Sequence, residues 1–213
     1  MNLYLIVGNN INLKKYCFSF DDIIVGVDKG AYLALQSGLH LNYAVGDFDS
    51  LSFDEFNLVK KTCSKIIKLN PIKDCTDTFY AYQKFEKEMD KIIILGGIQG
   101  KRIEHFIALL NLIKQDDRVE LIDDYTSIKH LRISRHYKLE KSNYRYISFF
   151  SLGDTIISLS GFKYDLDQYH LSHFDSLCIS NEIVDLIGEI DIDGDDCLMF
   201  QSKDDVDFSP LNS

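Results

Sequence analysis

Two aspartates follow the short apolar run 43–45 at alternate positions, in the segment Gly46-Asp47-Phe48-Asp49-Ser50. Side chains at alternate positions of an extended segment project to the same side, so these two carboxylates are predicted to lie close enough to share one cation. A hard divalent ion such as Mg²⁺ removes their repulsion, retains several waters and bridges to substrate phosphates. The pair of Asp47 and Asp49 therefore indicates metal-dependent phosphate chemistry.

A second interpretation of the acidic pair is purely local. Asp49 or Ser50 would then cap the helix that is predicted to begin near Ser52. Ser52 and Glu55 form an S-x-x-E capping box of their own, which weakens the need for Asp49 as the cap. Because D-x-D alone is a weak motif, the choice between the two interpretations depends on the rest of the chain.

The second candidate segment is Asn70-Pro71-Ile72-Lys73-Asp74-Cys75-Thr76-Asp77, which follows a predicted strand and opens a predicted helix. Backbone N–H groups and the positive end of the helix dipole favour an anion at such a position. Lys73 places a cation beside the acids, which favours a phosphate site. The alternative is again capping, with Asp74 as the N-cap and Asp77 in the first turn, where an acidic residue favours the dipole.

The third candidate segment, Gly96–His105, is a glycine-rich turn between a strand and a helix. Its glycines permit close approach of a phosphate to the backbone, while Lys101 and Arg102 add positive charge, and Arg grips phosphate through two parallel N–H groups. The segment is neither G-x-G-x-x-G nor a P-loop. His105 is interpreted either as a ligand contact or as a packed residue of the helix surface.

Alternation of apolar and amphipathic stretches organises the first 124 residues. Strands are predicted at 3–7, 23–28, 43–45, 65–69, 92–97 and 119–122, and helices at 29–35, 53–63, 75–89 and 103–114. Such βα units predict a mostly parallel sheet, whose ligands bind at the carboxyl ends of the strands. Asp28, Asp47, Asp49 and Gly96 all fall at those ends.

The character of the chain changes at about Tyr125. Short β-like runs at 146–150, 155–159, 162–166, 176–180 and 197–201 are separated by turns, with no helical period among them. Short strands at this spacing predict a small antiparallel sandwich or barrel. We therefore predict two domains, 1–124 and 125–213.

Composition limits the classes of partner. A net charge of −10 and a pI near 5.0 argue against nucleic acid and anionic membranes, since both would repel most of the surface. Five cysteines without a C-x-x-C pair indicate reduced thiols. No apolar run reaches the length of a membrane span, and the N-terminus lacks a signal-peptide pattern. We expect a cytoplasmic protein.

Taken together, the motifs resemble the thiamine pyrophosphokinase family, whose members transfer pyrophosphate from ATP to thiamine. The resemblance rests on D-x-G-A at 28–31, G-D-F-D-S at 46–50, K-D-x-T-D at 73–77, a variant of G-x-R-x-D-H at 100–105 and S-N-E at 180–182. The variant has Glu104 where the family usually has Asp. The family's domain order, an α/β ATP-binding domain followed by a β-sandwich that helps to bind thiamine, also agrees with the predicted organisation.

The resemblance implies roles for particular residues. Asp47, Asp49 and Asp77 would hold Mg²⁺, while Lys73 and Arg102 would grip the transferred phosphates. The implied ATP site also includes Asp28, Gly30, Asp74, Thr76, Gly97, Gly100 and His105. Ser180 and Asn181 would hydrogen-bond the aminopyrimidine of thiamine. Family precedent further implies a homodimer with the thiamine site at its interface.

Two alternatives of other classes remain at this point. A phosphatase of the haloacid dehalogenase type also uses D-x-D after a strand, with the first Asp as nucleophile, and would release phosphate without ATP. The position of the pair after the third predicted strand counts against it. A non-catalytic nucleotide or thiamine sensor would not need so many carboxylates, although Glu104 keeps that alternative open.

Overall fold

The computed structural model describes residues 1–8, 11–72, 74–100, 102–173 and 175–204. The chain divides into two compact units, Met1–Asp124 and Tyr125–Ser213. Each unit has its own buried core. None of the helices in the described part of the chain has the length and apolar character needed to cross a membrane.

The first unit contains a parallel sheet with helices between its strands. The strands are β1 (Asn2–Ile6), β2 (Ile23–Val27), β3 (Tyr43–Gly46), β4 (Ile66–Lys68), β5 (Lys91–Leu95) and β6 (Val119–Ile122). The helices are α1 (Lys29–Gln36), α2 (Phe53–Thr62), α3 (Asp77–Phe85) and α4 (Ile103–Gln115), and a short 3₁₀ helix spans Leu13–Lys15. The predicted mostly parallel sheet is confirmed.

The order of these strands in the sheet is β4-β3-β2-β1-β5-β6. The chain therefore builds outward from β1 on one side and then returns to the other side of β1 with β5. Ligands of such sheets bind where the order reverses, outside the carboxyl ends of the strands. The central strands are mostly apolar, and Leu3, Leu5, Ile92 and Ile94 are fully buried.

The caps of two helices bear on the site. The Ser52–Glu55 capping box is present at α2, so neither Asp49 nor Ser50 is needed there. The N-cap of α3 is Thr76, whose Oγ1 accepts a hydrogen bond from the N–H of Phe79 at 3.2 Å. The capping interpretation of Asp74 is therefore wrong, and α3 is shorter at both ends than the predicted helix 75–89.

The second unit is an antiparallel β-sandwich, as predicted. Its strands are β7 (Thr126–Leu131), β8 (Arg135–Glu140), β9 (Tyr146–Ser151), β10 (Thr155–Ser160), β11 (Leu166–Leu171), β12 (Ile187–Gly194) and β13 (Cys197–Ser202). These strands form two groups of hydrogen-bonded neighbours. The first group has the order β7-β13-β9 and the second the order β11-β10-β12-β8. Phe149 and Met199 from the first group and Ile157 and Ile190 from the second belong to one buried cluster.

Several strand predictions in this unit were wrong. Residues 176–180 form turns, and the predicted strand 162–166 is mostly a turn that leads into β11. Four strands of the described part of this unit, β7, β8, β11 and β12, were not predicted, apart from the first residue of β11. The sequence of β8 is mostly polar because that strand is largely exposed, and its pairing with β12 joins distant parts of the chain. Such non-local pairing leaves only a weak local signal.

Candidate functional site

A pocket of about 660 Å³ lies at the carboxyl ends of the strands in the first unit. Two residues after β1, Val7 and Gly8, and the turn after β5 contribute to its lining. Six residues of the predicted ATP site also line it: Asp28, Thr76, Gly97, Gly100, Arg102 and His105. The structure therefore brings together segments that are distant in sequence, at the place where the strand order predicts a ligand.

Glycines let the ends of β1 and β5 approach each other below the pocket. A Cβ on Gly96 would lie 2.2 Å from the carbonyl oxygen of Val7, and Gly96 has a φ of +89°. A Cβ on Gly97 would lie 2.8 Å from Leu109 Cδ1. Both the close approach and the left-handed backbone favour glycine here. Gly100 differs, because an added Cβ would meet no atom within 4 Å.

Gly30 has a packing role. A Cβ at this position would lie 1.9 Å from the carbonyl oxygen of Ile6, at the end of β1. Glycine therefore permits the first turn of α1 to lie directly on the sheet. Unlike its neighbours Asp28 and Lys29, Gly30 does not line the pocket.

Four aspartates form one electrostatic cluster beside the pocket. Burial, and after it the negative charges of Asp77, Asp47 and Asp49, together raise the pKa of Asp28 to about 7. A hydrogen bond from the N–H of Phe48 to Asp28 Oδ1, 3.2 Å long, acts in the opposite direction. The four carboxylates thus come close enough to interact electrostatically, although they belong to the ends of β2 and β3 and the start of α3.

The geometry of Asp28 depends on its neighbour across the sheet. A Cβ on Gly46 would lie 1.9 Å from Asp28 Oδ1, so any side chain there would displace the carboxylate. The N–H of Asp28 donates to the carbonyl oxygen of Val45 at 2.9 Å. Further along the turn, the N–H of Asp49 donates to Asp47 Oδ1 at 3.1 Å. The glycine of the G-D-F-D-S motif therefore makes room for an acid of the D-x-G-A motif.

The predicted ligands of Mg²⁺ are Asp47, Asp49 and Asp77. Within the described residues, no three His, Cys, Asp or Glu side chains form a group that would hold a metal ion by themselves. Magnesium usually takes only one or two protein carboxylates and completes its shell with waters and substrate phosphates. The neighbouring carboxylates raise the pKa of Asp28 because like charges repel, and a bound cation would relieve that repulsion. The acidic cluster therefore fits an ion that arrives with a phosphate ligand.

Arg102 lies at the N-cap position of α4 and lines the pocket. Its Nε donates to Glu104 Oε1 at 2.8 Å, and the hydrogen bond from Arg102 lowers the pKa of Glu104. Both side chains are mostly exposed, at 72% and 62%. His105 Nε2 lies 4.0 Å from the same Oε1. Glu104 is the residue that departs from the family motif. It contacts Arg102 and lies near His105, and both of these residues line the pocket.

Several predicted residues of the first unit do not line the pocket or lie outside the described residues. Asp47, Asp49 and Asp77 are not among the lining residues, and neither is Gly30. Asp74 is exposed and does not contribute to the pocket lining. Lys73, predicted to grip phosphate, lies outside the described residues, as does Lys101.

The structure adds lining residues that the motifs did not assign. Thr78, Gln99, Phe106 and Leu109 all face the pocket. Phe106 and Leu109 are three residues apart on α4, so the amphipathic period of that helix was the available signal.

In the second unit, Asn181 is 4% exposed and its side-chain amide is engaged within the chain. Its Oδ1 accepts from the N–H groups of Tyr164 (3.1 Å) and Glu182 (2.9 Å), and its Nδ2 donates to the carbonyl oxygen of Tyr164 (2.8 Å). This geometry favours a role in holding the backbone over direct contact with a ligand. The neighbouring Ser180 is exposed, with a φ of +59°.

Glu182 completes this second motif. Its carboxylate pairs with Lys163 Nζ at 3.0 Å and Arg145 Nε at 3.1 Å, and these contacts lower its pKa. Asn181 and Glu182 are thus both engaged with the rest of the unit. Ser180 is the member of S-N-E that is exposed to solvent.

Comparison with known proteins decides the family. The family model described as the catalytic domain of thiamin pyrophosphokinase matches residues 15–122, and the model of its vitamin B1 binding domain matches residues 136–195. The chain belongs to the thiamin pyrophosphokinase family. The two family models fall on the two units in order, which agrees with the resemblance found in the motifs.

Relatives within the thiamin pyrophosphokinase family cover nearly the whole chain. A thiamine pyrophosphokinase of Bacillus subtilis (strain 168) is 33% identical over 210 residues, which are 94% of this chain and 98% of the relative. The crystal structure of thiamine pyrophosphokinase from Bacillus subtilis has a TM-score of 0.87 at 31% identity, covering 96% of this chain and 100% of that one. That from Geobacillus thermodenitrificans has a TM-score of 0.85 at 26% identity, covering 96% and 99%.

Proposed function

We propose that this chain transfers a pyrophosphoryl group from ATP to the hydroxyl of thiamine, giving thiamine diphosphate and AMP. The observation that carries the proposal is the pocket of the first unit. Six residues of the predicted ATP site line it, and an aspartate cluster lies beside it. This unit is also the part that the catalytic-domain model of the family matches. The phosphatase and sensor alternatives have no comparable support.

The pocket has two chemically distinct parts that suit a nucleotide. Arg102 and the N-terminus of α4 provide positive charge and backbone N–H groups for phosphates. Ile103, Phe106 and Leu109 provide an apolar wall for the nucleoside. Lys73 belongs to the proposed phosphate contacts on the strength of the K-D-x-T-D motif alone.

The aspartate cluster would hold Mg²⁺ through Asp47, Asp49 and Asp77. When bound, the ion would neutralise charge that develops on the transferred phosphates. Asp28 would support the cluster, and a carboxylate of the cluster would accept the proton of the thiamine hydroxyl. The attack is directed at the β-phosphorus, so the bond to the α-phosphate breaks and AMP leaves.

Thiamine recognition is assigned to the second unit, which the vitamin B1 binding model matches. Ser180 is the proposed contact to the aminopyrimidine because its side chain is exposed. Asn181 is proposed to act through the backbone it holds, which modifies the direct contact that the family motif implied. A homodimer is part of the proposal, and light scattering of the purified protein measures it directly.

The deciding experiment incubates the protein with ATP, Mg²⁺ and thiamine and quantifies the products. AMP and thiamine diphosphate are expected in equal amounts, and neither should form when thiamine or Mg²⁺ is left out. Inorganic phosphate released without thiamine would instead favour the phosphatase. Binding of ATP and thiamine without any product would favour the sensor. Asp49→Asn serves as the inactive control.

A further inference from the structure

Phe48, between the two aspartates of the acidic turn, has an unusual backbone. Its φ is +62°, in the left-handed region that bulky residues rarely adopt. Its side chain is 5% exposed, and its N–H donates to Asp28 Oδ1. A conformation of this kind persists only where the surrounding structure holds it in place. The question is which contacts hold Phe48.

The ring of Phe48 stacks on the ring of Phe56, on α2. The two centroids are 4.9 Å apart and the rings are inclined by 30°, within the range of favourable offset stacking. On the same ring of Phe56, Lys60 Nζ lies 4.4 Å and Lys68 Nζ 5.7 Å from the centroid. Phe56 therefore links α2 and the end of β4 to the acidic turn. It belongs to none of the motifs found in the sequence.

We propose that Phe56 is a positioning residue that holds the turn 47–49 in its left-handed conformation, and so sets the directions of the Asp47 and Asp49 carboxylates. If residue 48 relaxed to a negative φ, the chain after it would turn in another direction, and the Asp49 carboxylate would move relative to Asp47 and Asp28. Catalytic groups work only when their supporting contacts fix them in place. The inference rests on the proposed function in one respect, which is that these carboxylates take Mg²⁺.

The test compares Phe56→Leu with two other variants. Phe56→Tyr keeps the ring and is expected to behave as wild type. Phe18→Leu is the matched control, because Phe18 also packs on the core of the first unit and makes a ring contact, 4.8 Å from Tyr4, that does not involve the acidic turn. If Phe56→Leu does not fold, Phe56→Met replaces it, since Met retains apolar bulk without the ring.

The first measurement needs no metal and no turnover. Hydrogen exchange of the Phe48 amide, followed by NMR in metal-free protein, is expected to be at least about tenfold faster in Phe56→Leu than in Phe18→Leu. The second measurement is the Mg²⁺ concentration for half-maximal turnover at saturating ATP and thiamine. It is expected to rise about three- to tenfold in Phe56→Leu, while kcat at saturating Mg²⁺ stays within about twofold.

Equal exchange of the Phe48 amide in Phe56→Leu and Phe18→Leu would overturn the proposal. So would a Tyr variant that behaves like the Leu variant, because the ring would then be irrelevant. If the wild-type protein makes no thiamine diphosphate, the proposed function fails. The exchange measurement still decides the role of Phe56 in that case.

Discussion

Asp28 is partly buried and lies among carboxylates of like charge, and both conditions disfavour its ionised form. Its carboxyl lies among those of Asp47, Asp49 and Asp77, and its pKa is raised from 3.8 to about 7. In the unfolded chain the same carboxyl ionises at low cost. The folded state therefore binds this proton more tightly than the unfolded state does, and ionised Asp28 destabilises the metal-free fold.

The first prediction follows from this difference in pKa. Asp28→Asn should stabilise the metal-free protein by about 1–3 kcal/mol at pH 8, since the amide keeps an acceptor for the N–H of Phe48 without the charge. The gain should shrink as the pH falls from about 7 towards 4, because wild-type Asp28 becomes protonated in the folded state. Thermal denaturation with EDTA at several pH values measures it. Asp21→Asn, at an exposed site, is the control, and a gain independent of pH would contradict the argument.

The second prediction concerns the acidic pair itself. Asp47→Asn and Asp49→Asn should each abolish turnover while changing the free energy of unfolding by less than about 1 kcal/mol. An amide oxygen at position 47 still accepts the hydrogen bond from the N–H of Asp49, so the turn is expected to remain. Activity at saturating Mg²⁺ and denaturant unfolding are measured on the same preparations. Substantial activity in either variant would exclude that carboxylate from the metal site.

At the scale of elements, local side-chain contacts fix the segments that carry the motifs. Thr76 is the N-cap of α3 and thereby places Asp77 in the first turn of that helix, near Asp28. In the second unit, the side chain of Asn181 bonds to both the N–H and the C=O of Tyr164, 17 residues away in the chain. A buried residue that satisfies several backbone groups stabilises the turn around it, because those groups have no access to water once the partner is removed.

The third prediction is that Asn181→Ala lowers the free energy of unfolding by about 2–3 kcal/mol, since two N–H groups and one C=O lose their partner. Ser180→Ala should change it by less than about 0.5 kcal/mol, because Ser180 is exposed. Urea denaturation of both variants measures the difference. If Asn181→Ala is as stable as wild type and loses only thiamine affinity, Asn181 contacts the ligand directly as the family motif implied.

At the scale of the whole molecule, the chain carries ten more negative than positive charges, yet the proposed substrates include a polyanion. Local cations and a divalent ion must then offset the repulsion of ATP. The phosphate contacts are assigned to the first unit and the thiamine contact to the second. Substitutions in the two units should therefore affect different ligands.

The fourth prediction tests this division. Arg102→Ala should weaken binding of an ATP analogue by about ten- to 100-fold, as expected for loss of a charge-assisted hydrogen bond, and leave thiamine binding nearly unchanged. Ser180→Ala should do the reverse, with a smaller effect of about three- to tenfold, since its contact is neutral. Calorimetry of each ligand with each folded variant gives the four comparisons. Equal weakening of both ligands by either variant would defeat the assignment.

Many features of this protein were predictable because their signals are local. A parallel strand in the interior of a sheet is a continuous apolar run, so β6 was predicted with its observed bounds and β2 to within one residue. The capping box at Ser52 involves neighbours in sequence and was equally visible. Acids and glycines at strand ends indicated the edge of the sheet where the pocket lies, while six of its lining residues were implied by the family resemblance.

Tertiary structure decided the features that depend on distant residues. The polar sequence of β8 does not indicate a strand. It forms one because it pairs with β12, which lies in a distant part of the chain. Burial places the side chain of Asn181 against the backbone of Tyr164 and Glu182, although the family motif implied a ligand contact. The raised pKa of Asp28 and the stacking of Phe56 on Phe48 likewise arise only when separate elements meet. Burial, pairing and proximity of charges are properties of the folded chain, so no local pattern specifies them.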